Sequence, residues 1–489
     1  MIAMQGFTRG VAYPVPVRIP IKTLNIHRAP HLDEIATAVL VAAYGEAYFP
    51  GVRTALAEGK IDFTEREWSR EEYIKFETLP IGTGYGTWFN EHIRGGDRMK
   101  GQCAFTLAVR YLHLGEMPAL RRLTQEVYES DTEAKCTPTM LAELVKTDHR
   151  HQIEYVHTVT KQVVRPGERL HVFAWATPFI LAIIDRQAQI IRGEALGHRH
   201  GEKTLRDYFH RWLRDQEKCL AETGDVMDPR VKSSLSKQIS DSMRNKATKV
   251  TELAHIVEAL TRTGKSETFI VDRLEYVFNA MLISQTDFWA EYDRQELEEA
   301  DKGPPALTDA LFDDRPAKLY ISVVVSSSPQ AAKVARFRRN RIQDEMGVAK
   351  ADRIPGLTLL RAPDKGNMQI FTDRELAGVR VRAGSESCVG VLEIAIRMIR
   401  TLELLFQGAD PRDVQIKTFT ALGMEGEGPD KIWYYFKNGG MAMNGSTTKD
   451  RPPTKILPTQ MLTILQHAFH PDLFQIWVDK QLPRYLPNK

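Results

Sequence analysis

Two short words in this chain combine imidazoles and carboxylates. The first is His27-x-x-x-His31-x-Asp33-Glu34; the second, about sixty residues on, is Asn90-Glu91-His92. Imidazole nitrogens and carboxylate oxygens at alternating positions form a ligand set for a divalent cation such as Mn²⁺ or Mg²⁺. Two such cations a few ångströms apart clamp the attacking and leaving oxygens of a phosphate ester. A lone histidine at a strand end is usually only a polar turn residue. Pro30 and the strand-to-helix setting favour the functional reading here.

These side chains need elements that bring them together. Lys22 to Ile26 reads as a short strand, and Asp33 to Tyr44 as a helix rich in Ala, Val and Leu. The first word is then the turn between them. Asp33 and Glu34 fall in the helix's first turn, where the dipole favours carboxylates. Gly82, Gly84 and Gly86 mark a second turn that leads into Asn90-Glu91-His92. The third glycine arrives too early for a dinucleotide fingerprint, so a tight turn is expected instead. In a parallel α/β sheet, turns of this kind converge on one crevice at the strand ends.

From about Gly101 the pattern turns helical for some 200 residues. Apolar positions recur at three- and four-residue spacing in Ala104 to Leu114, Met140 to Val145, Leu253 to Leu260 and Val271 to Ile283. Gly303-Pro304-Pro305 and Asp313-Asp314-Arg315-Pro316 predict a linker over 301–316. Leu319 to Val325 is a β-branched run typical of a buried strand. Ser326-Ser327-Ser328-Pro329 predicts a serine N-cap with proline in the first helical turn. Two histidine groups, Asp148-His149-Arg150-His151 with His157 and His198-Arg199-His200, sit among charges and read as solvated faces.

Length and composition bound the rest. The chain's 489 residues exceed one ordinary domain, and 43% hydrophobic with 26% charged residues is a soluble globular balance. A net charge of +3 leaves room for a local basic groove and demands none. Cys103, Cys136, Cys219 and Cys388 form no Cys-x-x-Cys pair, which argues against a disulfide framework or zinc ribbon. The segment Met1 to Pro20 has Pro14, Pro16 and Pro20 and does not read as a signal peptide. The apolar run Phe173 to Ile184 is too short to span a bilayer. A cytoplasmic location without membrane partners is expected.

The two words resemble those of the DHH superfamily of phosphoesterases, which open with His-x-x-x-Asp-x-Asp after their first strand. The match is closer to the melanocyte-proliferating-gene family of exonucleases, whose opening word has His in place of the first Asp and continues Asp-Glu, as His31-Leu32-Asp33-Glu34 does. That family's later Phe-Asp-His-His is similar to Phe89-Asn90-Glu91-His92, with Asn90 in place of Asp and Glu91 in place of the first His. The superfamily's mid-strand carboxylate has no clear counterpart around Pro80 to Gly84.

The resemblance implies an α/β fold: a parallel-sheet DHH-like domain over 1–125, a helical region over 126–300, the linker, and a smaller α/β substrate-binding domain over 317–489. It implies a metal held by His27, His31 and Asp33, and a second held by Asp33, Glu91, His92 and Asp131. Asp33, Glu91 and His92 would be the catalytic residues. Arg94, Arg98 and Lys100 would neutralise phosphate oxygens, and a Gly- and Asn-rich loop with Asn438, Gly439, Gly440 and Asn444 would meet the substrate. Within the basic run Arg336 to Arg341, Arg338 and Arg339 are candidates to track phosphates. The expected function is a Mn²⁺- or Mg²⁺-dependent phosphodiesterase, a nuclease on single-stranded nucleic acid. The alternative is a catalytically silent protein of the same fold that binds nucleic acid or serves a complex; a hydrolase of small nucleotides is the third. Homo-oligomers or complex subunits fit any of these.

Overall fold

The computed structural model describes residues 18–469, apart from 28, 65, 67, 85, 92–98, 100, 134, 152–154, 157–162, 165–169, 195–204, 313–314, 364–366, 374–375, 377–378, 382–388, 411–418, 437–439 and 445–451. The molecule is mixed α/β, with a small parallel sheet near the N-terminus and a separate mixed sheet towards the C-terminus.

The N-terminal sheet has β1 (Thr23–Ile26) at its centre, between β2 (Ile61–Asp62) and β3 (Thr78–Ile81), all parallel. Leu24, Ile26, Leu79 and Ile81 are fully buried, as expected where helices cover both faces of a parallel sheet. Helix α1 (Leu32–Tyr44) is buried from Leu32 through Ala42. The short helices α2 (Val52–Ala57) and α3 (Arg70–Lys75) follow it, and helix α4 (Ala104–Tyr111) packs against α1. The register pairs Ile26 with Ile81, and Phe89 bridges Ile81 in parallel. Three chain segments therefore end at the same sheet edge, and His27 and Glu91 lie just beyond it.

The predicted helical stretch is present as α5 (Pro118–Thr132), α6 (Leu141–His151), α7 (Leu170–Ile191), α8 (Leu205–Thr223), α9 (Pro229–Asn245), α10 (Leu253–Arg262) and α11 (Glu267–Lys302), with a short antiparallel pair, β4 (Tyr155–Val156) and β5 (Val163–Val164), between α6 and α7. The run Phe173 to Ile184 is part of α7, with Phe173, Trp175, Ala176, Phe179, Ile180 and Ile183 buried. One hydrophobic core extends from Ile19 to Met281, so the sheet and these helices solidify together. No helix among the described residues is long and apolar enough to cross a membrane.

The linker reading needs correction. Residues 306–312 are strand β6 (Ala306–Phe312), paired antiparallel with β7 (Arg315–Val325) from Ala306↔Ile321 to Phe312↔Arg315. The glycine and prolines end α11 at Gly303 (φ +84°) instead of freeing the chain. The serine cap is present. Helix α12 (Ala331–Glu345) follows a first turn in which Ser328 Oγ accepts the Gln330 N–H at 3.2 Å and the Ser328 carbonyl accepts the Ala331 N–H at 3.1 Å, with Pro329 next to the cap. Ser326 donates to Glu291 on α11 at 3.0 Å.

The remaining strands are β8 (Gly356–Arg361), β9 (Met368–Thr372), β10 (Arg380–Val381), β11 (Val389–Gly390), β12 (Gly426–Glu427), β13 (Trp433–Phe436) and β14 (Met441–Asn444). They join β6 and β7 in a nine-stranded sheet, β11-β10-β6-β7-β8-β9-β14-β13-β12, in which only β7 and β8 are parallel. Helix α13 (Val391–Phe406) and the helix Pro458–Ala468 cover it and build a second core.

Candidate metal centre

The first word folds as a strand, a turn and a capped helix. His31 is the N-cap residue of α1, and Glu34 reaches back to accept its backbone N–H at 2.7 Å. The other Glu34 oxygen lies 3.0 Å from His27 Nε2, while His27 Nδ1 accepts the Ala29 N–H at 3.2 Å. His27, His31 and Glu34 thus offer ligand atoms within 4.8 Å of one another. Gly82, at φ +66°, makes room for this group, since a β-carbon there would lie 2.9 Å from Glu34 Cγ.

Asp33 points to the other side of the same turn. Its two oxygens accept N–H groups from Ala104 and Phe105, both at 2.8 Å, at the N-terminus of α4. Glu91 arrives from the segment beside β3, and Asp131 from the last turn of α5. The three carboxylates form a second group within 4.8 Å. Asp33 and Glu91 are buried, so this is not the loose acidic surface common on soluble proteins.

The charges explain the electrostatics. Burial, and then the neighbouring Asp131, Glu34 and Glu91, raise the Asp33 pKa well above the usual carboxylate range. Burial would raise Glu34 too, but His27 and His31 hold it well below that range. Protein crowded around the His31 ring lowers its pKa, with Glu34 acting against this. A trio of carboxylates with two members buried is costly without a cation, and a divalent ion is the compensation that this donor set fits. The first group, with two imidazoles and one carboxylate, suits Mn²⁺ or a similar borderline ion.

The predicted ligands are therefore partly regrouped. His27 and His31 come together with Glu34, not with Asp33; Asp33 joins Glu91 and Asp131. Glu34 was missed as a ligand although its sequence signal, a carboxylate three residues after the cap, was in view. Lys146 on α6 was also missed. It lies near enough for its charge to depress His31, and an isolated lysine in a helical pattern carries no signal of that. Asp62 ends β2 but is engaged by Arg66, at 2.7 Å, and by Thr64. Asn90 is buried and donates to the Gly84 carbonyl, inside the turn. His92, Arg94, Arg98, Lys100, Asn438 and Gly439 lie outside the described residues.

Four expected substrate contacts have other work. Arg338 and Arg339 are 7% and 3% exposed. Arg339 binds Asp373 at 2.8 Å together with Ser322 and Thr358, and Arg338 pairs with Glu299 over the ring of Tyr292. Two arginines adjacent on α12 are buried against the sheet and α11, where Asp373 and Glu299 pair with them, so they are turned away from a solvent-side phosphate. Asn444 is fully buried and accepts the Met368 N–H at 2.7 Å. Gly440 allows a close strand contact, with its carbonyl accepting the Thr372 N–H at 2.9 Å. No protein-family model matches this chain, and no curated protein matches it.

Proposed function

We propose that the chain is a metal-dependent phosphodiesterase on a DHH-type N-terminal fold, hydrolysing a phosphate ester of single-stranded nucleic acid or of a nucleotide. One observation carries this: two adjacent trios of ligand atoms at a single parallel-sheet edge, one rich in imidazole and one wholly carboxylate. His27, His31 and Glu34 would hold one Mn²⁺ or Mg²⁺, and Asp33, Glu91 and Asp131 another. The ions supply an acidified water and neutralise phosphoryl oxygens. The chain supplies position. The α4 amides hold both oxygens of Asp33, and the His31 backbone N–H holds Glu34. Lys146 offers a cation to the substrate's phosphate beside His31.

The test couples metal content to cleavage. Wild type and Asp131→Asn are loaded with Mn²⁺ and given labelled single-stranded DNA, RNA and dinucleotides. Asp131→Asn is preferred to Asp33→Ala because Asp33 also anchors α4. Bound metal with cleavage, with the ion of the carboxylate trio and the cleavage both lost in the variant, is the expected result, and the cleaved probe names the substrate class. Metal bound without cleavage of any probe would sink the enzymatic reading. It would favour the silent binding protein, for which Asn90, in place of the family's Asp and turned towards Gly84, is the supporting observation.

A further inference from the structure

The three carboxylates of the second group stand on unequal supports. Asp33 lies in α1 and is held by two α4 amides, and Asp131 lies in α5. Glu91 is the one member of the trio that comes from neither helix nor strand. The Met99 N–H holds the Glu91 carbonyl from one side, at 2.8 Å. On the other side lies the turn from Gly82 to Phe89. Gly82, Gly84 and Gly86 all take positive φ there, and three glycines in five residues have much backbone freedom to lose. The place of Glu91 beside Asp33 therefore depends on what fixes this turn.

Part of the fixing is internal. The Gly82 N–H donates to the Phe89 carbonyl at 2.8 Å, the Thr87 hydroxyl to the Thr83 carbonyl at 2.9 Å, and Asn90 to the Gly84 carbonyl. These bonds close the turn on itself without tying it to β1, whose ladder with β3 ends at Ile26↔Ile81. Thr83, which is buried, supplies that tie. Its hydroxyl donates to Asn25 Oδ1 at 2.9 Å and lies 3.3 Å from the Asn25 carbonyl. Asn25 is fully buried in β1, and its Nδ2 donates to the carbonyls of Asp62, at 3.2 Å, and Thr64, at 2.9 Å. One side chain of the central strand thus joins the exits of both its neighbours. The Tyr73 hydroxyl also donates to Asn25 Oδ1, at 3.0 Å, but it comes from α3, outside the turn. The Tyr73 ring packs against Gly84, where a β-carbon would lie 2.6 Å from Cε2.

We propose that Thr83 is a positioning residue for the carboxylate trio: through Asn25 it anchors the glycine turn to β1, and so sets where Glu91 meets Asp33 and a bound cation. The inference rests on the reading of the trio as a cation site, and not on the hydrolysis proposed for it.

The test is calorimetric Mn²⁺ titration of the full chain, with the ion that Asp131→Asn abolishes taken as the trio's ion. Thr83→Val removes the hydroxyl and keeps the shape. It should weaken that ion by about tenfold, the lower end of the cost of losing a group that orients a metal ligand. Thr83→Ser keeps the hydroxyl and should bind Mn²⁺ as wild type does. Thr87→Val loosens the turn from within and should weaken the ion by about threefold to tenfold, the scale of one hydrogen bond. Tyr73→Phe removes a hydrogen bond to the same Asn25 oxygen and keeps the ring against Gly84. It should lower the melting temperature in EDTA as Thr83→Val does, yet leave Mn²⁺ affinity at the wild-type value. Wild-type affinity in both Thr83→Val and Thr87→Val, or an equal loss of affinity in Tyr73→Phe, overturns the positioning role and leaves the metal centre standing. A wild-type chain with no Mn²⁺ site that Asp131→Asn abolishes overturns the trio as a cation site and this inference with it.

Discussion

Buried charge is handled in opposite ways in the two α/β regions. Beside the N-terminal sheet, Asp33, Glu91 and Asp131 crowd together, and burial followed by like charge raises the Asp33 pKa. In the C-terminal region, Asp373, Glu393 and Asp430 each face an arginine, and Glu403 takes the Trp433 indole N–H at 3.1 Å. Charges of the second kind meet an arginine or a donor side chain within one core. A cluster of like charges stores unfavourable energy that folding alone does not relieve, which marks it as a place for a cation.

The sharpest way to break this comparison is to remove one charge from each region. Arg400 is fully buried and donates to the carbonyls of Leu422, Met424 and Gly426, each at 2.8 Å, beside Asp430. Arg400→Met strands Asp430 and those carbonyls, so stability should fall by about 3–5 kcal/mol in a denaturant titration, with Mn²⁺ affinity unchanged. Asp131→Asn should do the reverse. Cleavage should fall by about 100-fold or more, while the melting temperature in EDTA holds or rises because a like charge has gone. A melting temperature that drops as far as that of Arg400→Met would show that the carboxylate trio is structural.

Smaller effects refine the picture. Gly82→Ala forces a side chain into the left-handed region and against Glu34, so it should cost about 1–2 kcal/mol and weaken metal binding at the His27 group. A stability loss without a change in metal affinity would remove Glu34 from that group. Asp148 is a third kind of buried carboxylate, not the solvated residue its charged neighbours suggested: the Tyr276 hydroxyl donates to it, and burial pushes its pKa up to about 7. The folded chain then holds a proton that the unfolded chain releases near pH 4. Its contribution is full below that pH and is lost as pH rises towards 7, with a slope of at most about 1.4 kcal/mol per pH unit. Asp148→Asn should flatten that slope in melts from pH 4 to 7; an unchanged slope would place the titration elsewhere.

Local rules made much of this molecule legible. Strand, turn and helix around His27, His31 and Asp33 follow from a β-branched run, a proline and an acidic first turn. The helices α4, α6, α10 and α11 follow from apolar spacing, because a helix face is set by residues three and four apart. The tight glycine turn before Asn90 is present, with φ of +66°, +73° and +67° at Gly82, Gly84 and Gly86. Tertiary structure decided whatever depends on a partner distant in sequence. It grouped Glu34 with the histidines and Asp33 with Glu91 and Asp131. It buried Arg338 and Arg339 against acids dozens of residues away, turned Asn90 inward, and made a strand of the expected linker by pairing it with β7. A charged side chain looks the same in the sequence whether it ends in water, in an ion pair or in a cluster of like charges. Only the packed chain sets the dielectric around it and the groups within its reach, and those decide its chemistry.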